Sequence, residues 1–341
     1  MFNIIWNKKN AEKRYGKKGI LNLEEALNAI KEAEIIDTTP EYLSEIASNS
    51  RESDSFLIIG GHKLFPFYEV ENPARDRDQV VWTDNFYAST DDDPLLPERA
   101  IGRLPDGKDI ELLVAQIHSI GKKEDKDNQR KATFGLSAAV WVNASRNVYK
   151  IISNKEILLS PPENRDTLKI SENTEIFYFN LHGSDRTNNW YGQHGSNYPI
   201  ALSPLNIPVL HSATVVTEAC YGAYTIDKGI SDSIALTFLK KGALCFVGST
   251  TVAYGPPAPP SREADLIANL FFKEILKGNK FGTALLNAKQ EFFRIMMDEQ
   301  GFLDGNDKKT LLQFVLYGNP EGRFLAKDAK DAKHAKKTFV L

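Results

Sequence analysis

The feature that most constrains the fold of this chain is an alternation of short apolar runs with longer segments of helical period. Residues 56–59, 133–140, 176–181, 213–219, 243–247 and 311–316 are short and mostly apolar, and they read as buried strands. Between them, residues 22–33, 41–47, 109–120, 143–152, 232–240, 261–276 and 281–297 repeat apolar side chains every three or four positions. Within 109–120, for example, Ile110, Leu113, Ile117 and Ile120 share one helical face. Pro40 stands where the second helix can begin. This alternation predicts an α/β fold with a mainly parallel sheet and helices on both faces. No internal repeat is present.

Ligands of an open parallel sheet gather at the carboxyl ends of its strands. Two successive strands here end in chemically capable residues: Phe179-Asn180-Leu181-His182-Gly183-Ser184, and Val215-Val216-Thr217-Glu218-Ala219-Cys220-Tyr221-Gly222. On adjacent strands His182 and Cys220 would face each other across one crevice, the imidazole as base and the thiol as nucleophile. Gly183 has no Cβ to hold a substrate away, and its N–H together with that of Cys220 could form an oxyanion hole. Glu218 lies two positions before the thiol. On a strand that spacing projects it to the thiol's face, to orient His182 or contact substrate, although a carboxylate there opposes ionisation of the cysteine. Cys245, inside an apolar run, reads as an inert core thiol. Asp232 and Ser261 read as helix N-caps.

At this point the residues resemble the gingipain-type cysteine peptidases (clan CD, C25-like), relatives of the caspases. The cysteine of that family stands in a comparable Ala-Cys-x-Gly context. Further segments agree in order: Phe56-Leu57-Ile58-Ile59-Gly60-Gly61, then Thr83-Asp84-Asn85-Phe86-Tyr87, then Ala100-Ile101-Gly102-Arg103-Leu104-Pro105. After the cysteine come Gly242-Ala243-Leu244-Cys245-Phe246-Val247-Gly248-Ser249-Thr250 and Leu316-Tyr317-Gly318-Asn319-Pro320. The resemblance implies a caspase-like peptidase domain over residues 51–325, a helical lead-in packed on it over 1–50, and a lysine-rich tail over 326–341. It also implies a cysteine endopeptidase acting on protein or peptide substrates through His182, Cys220 and Gly183. Glu218, Ser249 and Tyr254 would then meet the substrate, Tyr254 as an aromatic of the pocket wall. Four prolines in residues 250–260 suit a stiff wall. The chemistry requires no cofactor, and the resemblance leaves room for calcium as a structural ion. Asp91-Asp92-Asp93 offers oxygens for one, without the spacing of a calcium loop.

Composition excludes several other classes. The chain has 341 residues and a net charge of −3, with no basic stripe interleaved with aromatics, so nucleic acid is not an expected partner. Two cysteines cannot build a disulfide framework. The opening Met1-Phe2-Asn3-Ile4-Ile5-Trp6 is too short an apolar run for a signal peptide or a membrane span. That favours the cytoplasm, or export if the chain is part of a longer precursor. The charged stretch 122–131 reads as an exposed linker, and His194 with Trp190-Tyr191 as a loop bordering the cleft. Nothing in the sequence sets an oligomeric state.

One departure from the family stands out. Gingipains that cut after arginine or lysine carry acids on and after the strand corresponding to 133–140, one of them supporting the catalytic histidine. From Phe134 to Lys155 this chain has none. The resemblance therefore does not extend to cleavage after basic residues, and the sequence names no side-chain partner for His182, though a backbone carbonyl could fix its tautomer. The alternative is a catalytically silent gingipain-like scaffold or binding module. A different cysteine hydrolase is disfavoured, because position 218 is Glu where a nucleophile elbow has Gly.

Overall fold

A computed structural model describes residues 1–120 and 132–324. Its strands are β1 (Phe2–Trp6), β2 (Glu34–Asp37), β3 (Ser55–Ile59), β4 (Tyr68–Glu71), β5 (Val80–Thr83), β6 (Ala100–Leu104), β7 (Ala132–Ala138), β8 (Leu158–Ser160), β9 (Thr174–Asn180), β10 (Trp190–Tyr191), β11 (Ile200–Leu202), β12 (Ala213–Thr217), β13 (Ala243–Ser249) and β14 (Phe314–Gly318). The helices are α1 (Lys8–Asn28), α2 (Pro40–Ser48), α3 (Ile110–Ser119), α4 (Val142–Tyr149), α5 (Ile234–Lys240), α6 (Glu263–Leu276), α7 (Phe281–Gln300) and α8 (Gly305–Gln313).

Ten strands form one sheet in the order β2-β1-β3-β6-β14-β13-β12-β9-β7-β8. All neighbours are parallel except β13 and β14, which pair antiparallel. The sheet is thus two parallel halves that run in opposite directions and meet at one seam. Successive strand residues face opposite layers. Phe177, Phe179 and Val215 belong to the core shared with α5, whereas Ile176, Tyr178 and Val216 belong to the core shared with α6 and α7. Two separate cores flank the other half-sheet, one with α1 and α3 and one with α2.

The seam has a consequence for the site. Because β14 runs against β13, the start of β14, with α8 before it, lies at the same edge as the carboxyl ends of β12 and β13. A bond from Thr250 N–H to the Gln313 carbonyl, 3.0 Å, closes that edge.

Several elements differ from expectation. Residues 1–50 are more than a helical lead-in: β1 hydrogen bonds to β3, β2 adds to β1, and Ile4 and Ile5 are fully buried. The run 311–316 is helical as far as Gln313, because Asp304 and Asp307 cap α8 reciprocally and the strand starts at Phe314. Ser233, not Asp232, caps α5, and Asp232 instead accepts the Gly229 N–H at 3.2 Å. The N-cap of α6 is Arg262, while Ser261 bonds Asn147 at 3.0 Å. The charged stretch 122–131 and the tail 326–341 lie outside the described residues. No described helix is long and apolar enough to cross a membrane.

Candidate active site

Strands β9 and β12 are adjacent and parallel, with Phe179 opposite Thr217. His182 is three residues past Phe179, and Cys220 three past Thr217, so both leave the sheet at the same level. The ladder continues one bond further, from Glu218 N–H to the Phe179 carbonyl at 2.9 Å. The two strand ends then close on each other. A Cβ on residue 183 would lie 2.1 Å from the Cys220 carbonyl oxygen, so only glycine permits this approach. Among the described residues, neither the Gly183 N–H nor the Cys220 N–H makes a hydrogen bond, which leaves two donors for a substrate oxygen.

His182 exchanges backbone hydrogen bonds with Tyr191, 2.9 Å each way, and the β10–β11 hairpin carries the following loop back over the imidazole. That loop delivers a residue the sequence did not single out. Gln193 Oε1 lies 2.7 Å from His182 Nε2. The Gln193 side-chain nitrogen donates to the Gly195 carbonyl at 3.1 Å, and its backbone is fixed by Ser160 and Val140. With the amide nitrogen so engaged, Oε1 faces the ring, which assigns the proton to Nε2 and leaves Nδ1 as the acceptor. The rings of Trp141 and Tyr198 lie 4.4 and 5.4 Å from the imidazole. Burial lowers the His182 pKa, and the Gln193 bond opposes this only in part. His194 is exposed in this loop and pairs its backbone with Asn197.

The Cys220 thiol donates to the Ala253 carbonyl at 3.5 Å. Burial pushes its pKa up, and the positive charges of Lys309 and Arg77 pull it partly back. Thiol up and imidazole down both favour the neutral forms. The backbone turns sharply after Cys220. Tyr221 has φ of 55°, and its N–H donates to the Thr251 carbonyl at 2.8 Å.

Of the three residues expected to meet substrate, two are buried and one stays at the surface of the wall. Glu218 is buried, accepts the Tyr178 hydroxyl at 2.8 Å and abuts Asp265 of α6. The alternation argument failed because β12 ends at Thr217 and the thiol is carried off by the turn. Ser249 is fully buried, and its hydroxyl lies within hydrogen-bond range of the Ala219 and Thr251 carbonyls, 3.1 and 3.0 Å away, so it braces the cysteine turn from below. Tyr254 remains partly exposed on the wall, with its hydroxyl bonded to Asp76 at 2.7 Å.

In the acidic run, Asp91 and Asp93 accept the N–H groups of Asp93 and Leu95, each at 2.9 Å. Among the described residues no group of three or more His, Cys, Asp or Glu is arranged to hold a metal ion. A groove of about 540 Å³ between α6 and α7 is lined by charged side chains such as Lys273, Glu274 and Arg294, and no residue of the site lines it.

Comparison with known proteins agrees with this geometry. Gingipain R (RgpB), an Arg-specific cysteine proteinase, superposes with a TM-score of 0.63 at 13% identity, over 95% of this chain and 77% of its own. The complex of Porphyromonas gingivalis RgpB pro- and mature domains gives 0.64 at 13% identity, over 94% and 78%. At these identities the likeness establishes the fold. No curated protein sequence matches significantly. The sequence profile of peptidase family C25 matches residues 19–325. The chain therefore belongs to peptidase family C25, the gingipain-type cysteine peptidases.

Proposed function

We propose that this peptidase is an endopeptidase working through a Cys220/His182 dyad and an acyl-enzyme. The observation that carries the reading is the matched exit of His182 and Cys220 from adjacent strands, locked by the approach of Gly183 to the Cys220 carbonyl. In this reading the substrate carbonyl oxygen sits between the Gly183 and Cys220 N–H groups. The thiol sulfur attacks the carbonyl carbon while its proton passes to His182 Nδ1, and Nε2–H stays on Gln193. The imidazolium then protonates the departing amine, the peptide C–N bond breaks, and a thioester remains on Cys220. Water, deprotonated by the same imidazole, hydrolyses the thioester and restores the thiol.

Shifts of both groups toward their neutral forms suit this sequence of events, in which the proton moves within the complex with substrate. The arginine specificity of RgpB belongs to that enzyme; here β7 leads into Val140 and Trp141. The test is a diverse peptide library sampled at every residue before the cut, with cleavage mapped by mass spectrometry for the wild type and Cys220→Ala. Cuts that vanish in the variant support the reading. Cuts that persist in the variant overturn it.

A further inference from the structure

The loop joining β4 to β5, an antiparallel pair separate from the main sheet and inserted between β3 and β6, carries acids that reach the cysteine turn. Lys309 of α8 is fully buried, and its ammonium lies 2.6 Å from Asp76 Oδ2 and 2.6 Å from Asp78 Oδ2. Each carboxylate passes this anchorage on to the cleft. Asp78 Oδ1 accepts the Tyr221 hydroxyl, and its Oδ2 accepts the Val252 N–H at 2.9 Å. Asp76 accepts the Tyr254 hydroxyl, and its Oδ1 ties the loop internally to the Asp78 N–H and to Asn72, both at 2.8 Å. One ammonium thus holds the residue after the nucleophile and two residues of the wall.

Tyr221 is the residue that needs holding. Its φ of 55° lies in the left-handed region, which residues with a Cβ seldom adopt without being held there. Arg77 lies 5.3 Å from its ring and donates to its hydroxyl at 3.3 Å, the Tyr221 N–H is tied to the Thr251 carbonyl, and the bond from the Tyr221 hydroxyl to Asp78 links the side chain to the fully buried Lys309. The turn it makes sets the direction of both the Cys220 N–H and the thiol.

We propose that Asp78, anchored by Lys309, is a positioning residue that holds Tyr221 in its left-handed conformation and so fixes the Cys220 turn. This rests on the dyad reading for its effect on turnover, but not for its effect on the turn itself. The β4–β5 hairpin, through this loop, is then part of the catalytic apparatus.

The test uses the full chain with Tyr221→Phe, which removes only the hydroxyl. Turnover is expected to fall about tenfold or more with KM within about twofold, as for a misplaced reacting group in an intact binding site. Alkylation of Cys220 by iodoacetamide is expected to speed up several-fold as the thiol leaves the Ala253 carbonyl, with the thermal midpoint unchanged. A triple variant, Asp76→Asn with Asp78→Asn and Lys309→Met, removes the buried charges together and should show the same loss in a folded protein. Wild-type turnover and alkylation in Tyr221→Phe would overturn the proposal, as would a loss that merely tracks the unfolded fraction. If Cys220→Ala leaves cleavage intact, the dyad reading fails while the alkylation result still decides this one.

Discussion

His182 gives its Nε2 proton to Gln193 Oε1 across 2.7 Å, and Gln193 is itself pinned by the Gly195 carbonyl. A neutral amide here orients the imidazole without placing a negative charge beside it. Gln193→Ala should free the tautomer and lower kcat/KM by roughly tenfold or more, part of what a positioned general base contributes. Gln193→Glu should keep the geometry but favour the imidazolium, moving the acid limb of the pH–kcat/KM profile to higher pH by about one unit or more. An acid limb that does not move in Gln193→Glu would show that residue 193 is not the partner that sets the ring's protonation.

The opposed shifts of thiol and imidazole make a second expectation. Burial raises the Cys220 pKa and lowers that of His182, and both shifts work against a stored thiolate–imidazolium pair. The rate of Cys220 alkylation should therefore climb with pH through and beyond the ordinary thiol value of about 8.5. Arg77→Ala, which takes away one favourable charge, should push that midpoint higher still. Cys245 is wholly buried and held well above its usual range by burial, so it should react only on unfolding. A plateau of Cys220 reactivity below pH 7 would establish a preformed ion pair and sink this account.

What was readable in the chain, and what was not, follows from the range of the interactions involved. The alternation of β3, α3, β7, α4, β9, β12, α5 and β13 is written in local periodicity, and the placement of His182 and Cys220 follows from strand ends in a parallel sheet. Strand direction at the seam is not local: the run that becomes β14 looks the same whichever way it pairs with β13. Phe2–Trp6 is a strand only because β2 and β3 cover its two sides. Gln193 carries no motif, and only the Tyr191 bridge to His182, two residues earlier, brings it onto the ring; the Trp190-Tyr191 pair was the available signal. Asp76 and Asp78 are separated from Lys309 by more of the chain than any spacing argument spans, and the seam, which brings α8 to this edge, explains their meeting.

Glu218 and Asp265 make the last expectation, one about stability. The two carboxyls abut inside the protein, and no N–H or O–H of another group reaches Asp265. Burial first, and then their mutual repulsion, holds Glu218 well above the usual carboxylate range; burial raises Asp265 as well. The folded protein therefore keeps protons here that the unfolded chain releases near pH 4. Stability contributed at low pH is lost as pH rises from that value through the folded pKa values. Asp265→Asn removes one titrating group and lets an amide N–H donate to a Glu218 carboxylate, so it should stabilise the fold by about 1–3 kcal/mol at pH 8. At about pH 2, well below the unfolded carboxyl values, both carboxyls are protonated in either state and the gain should shrink toward zero. Urea denaturation of both proteins across this range reads the difference directly. A gain independent of pH, or a loss at pH 8, would mean that Asp265 and Glu218 do not share a proton.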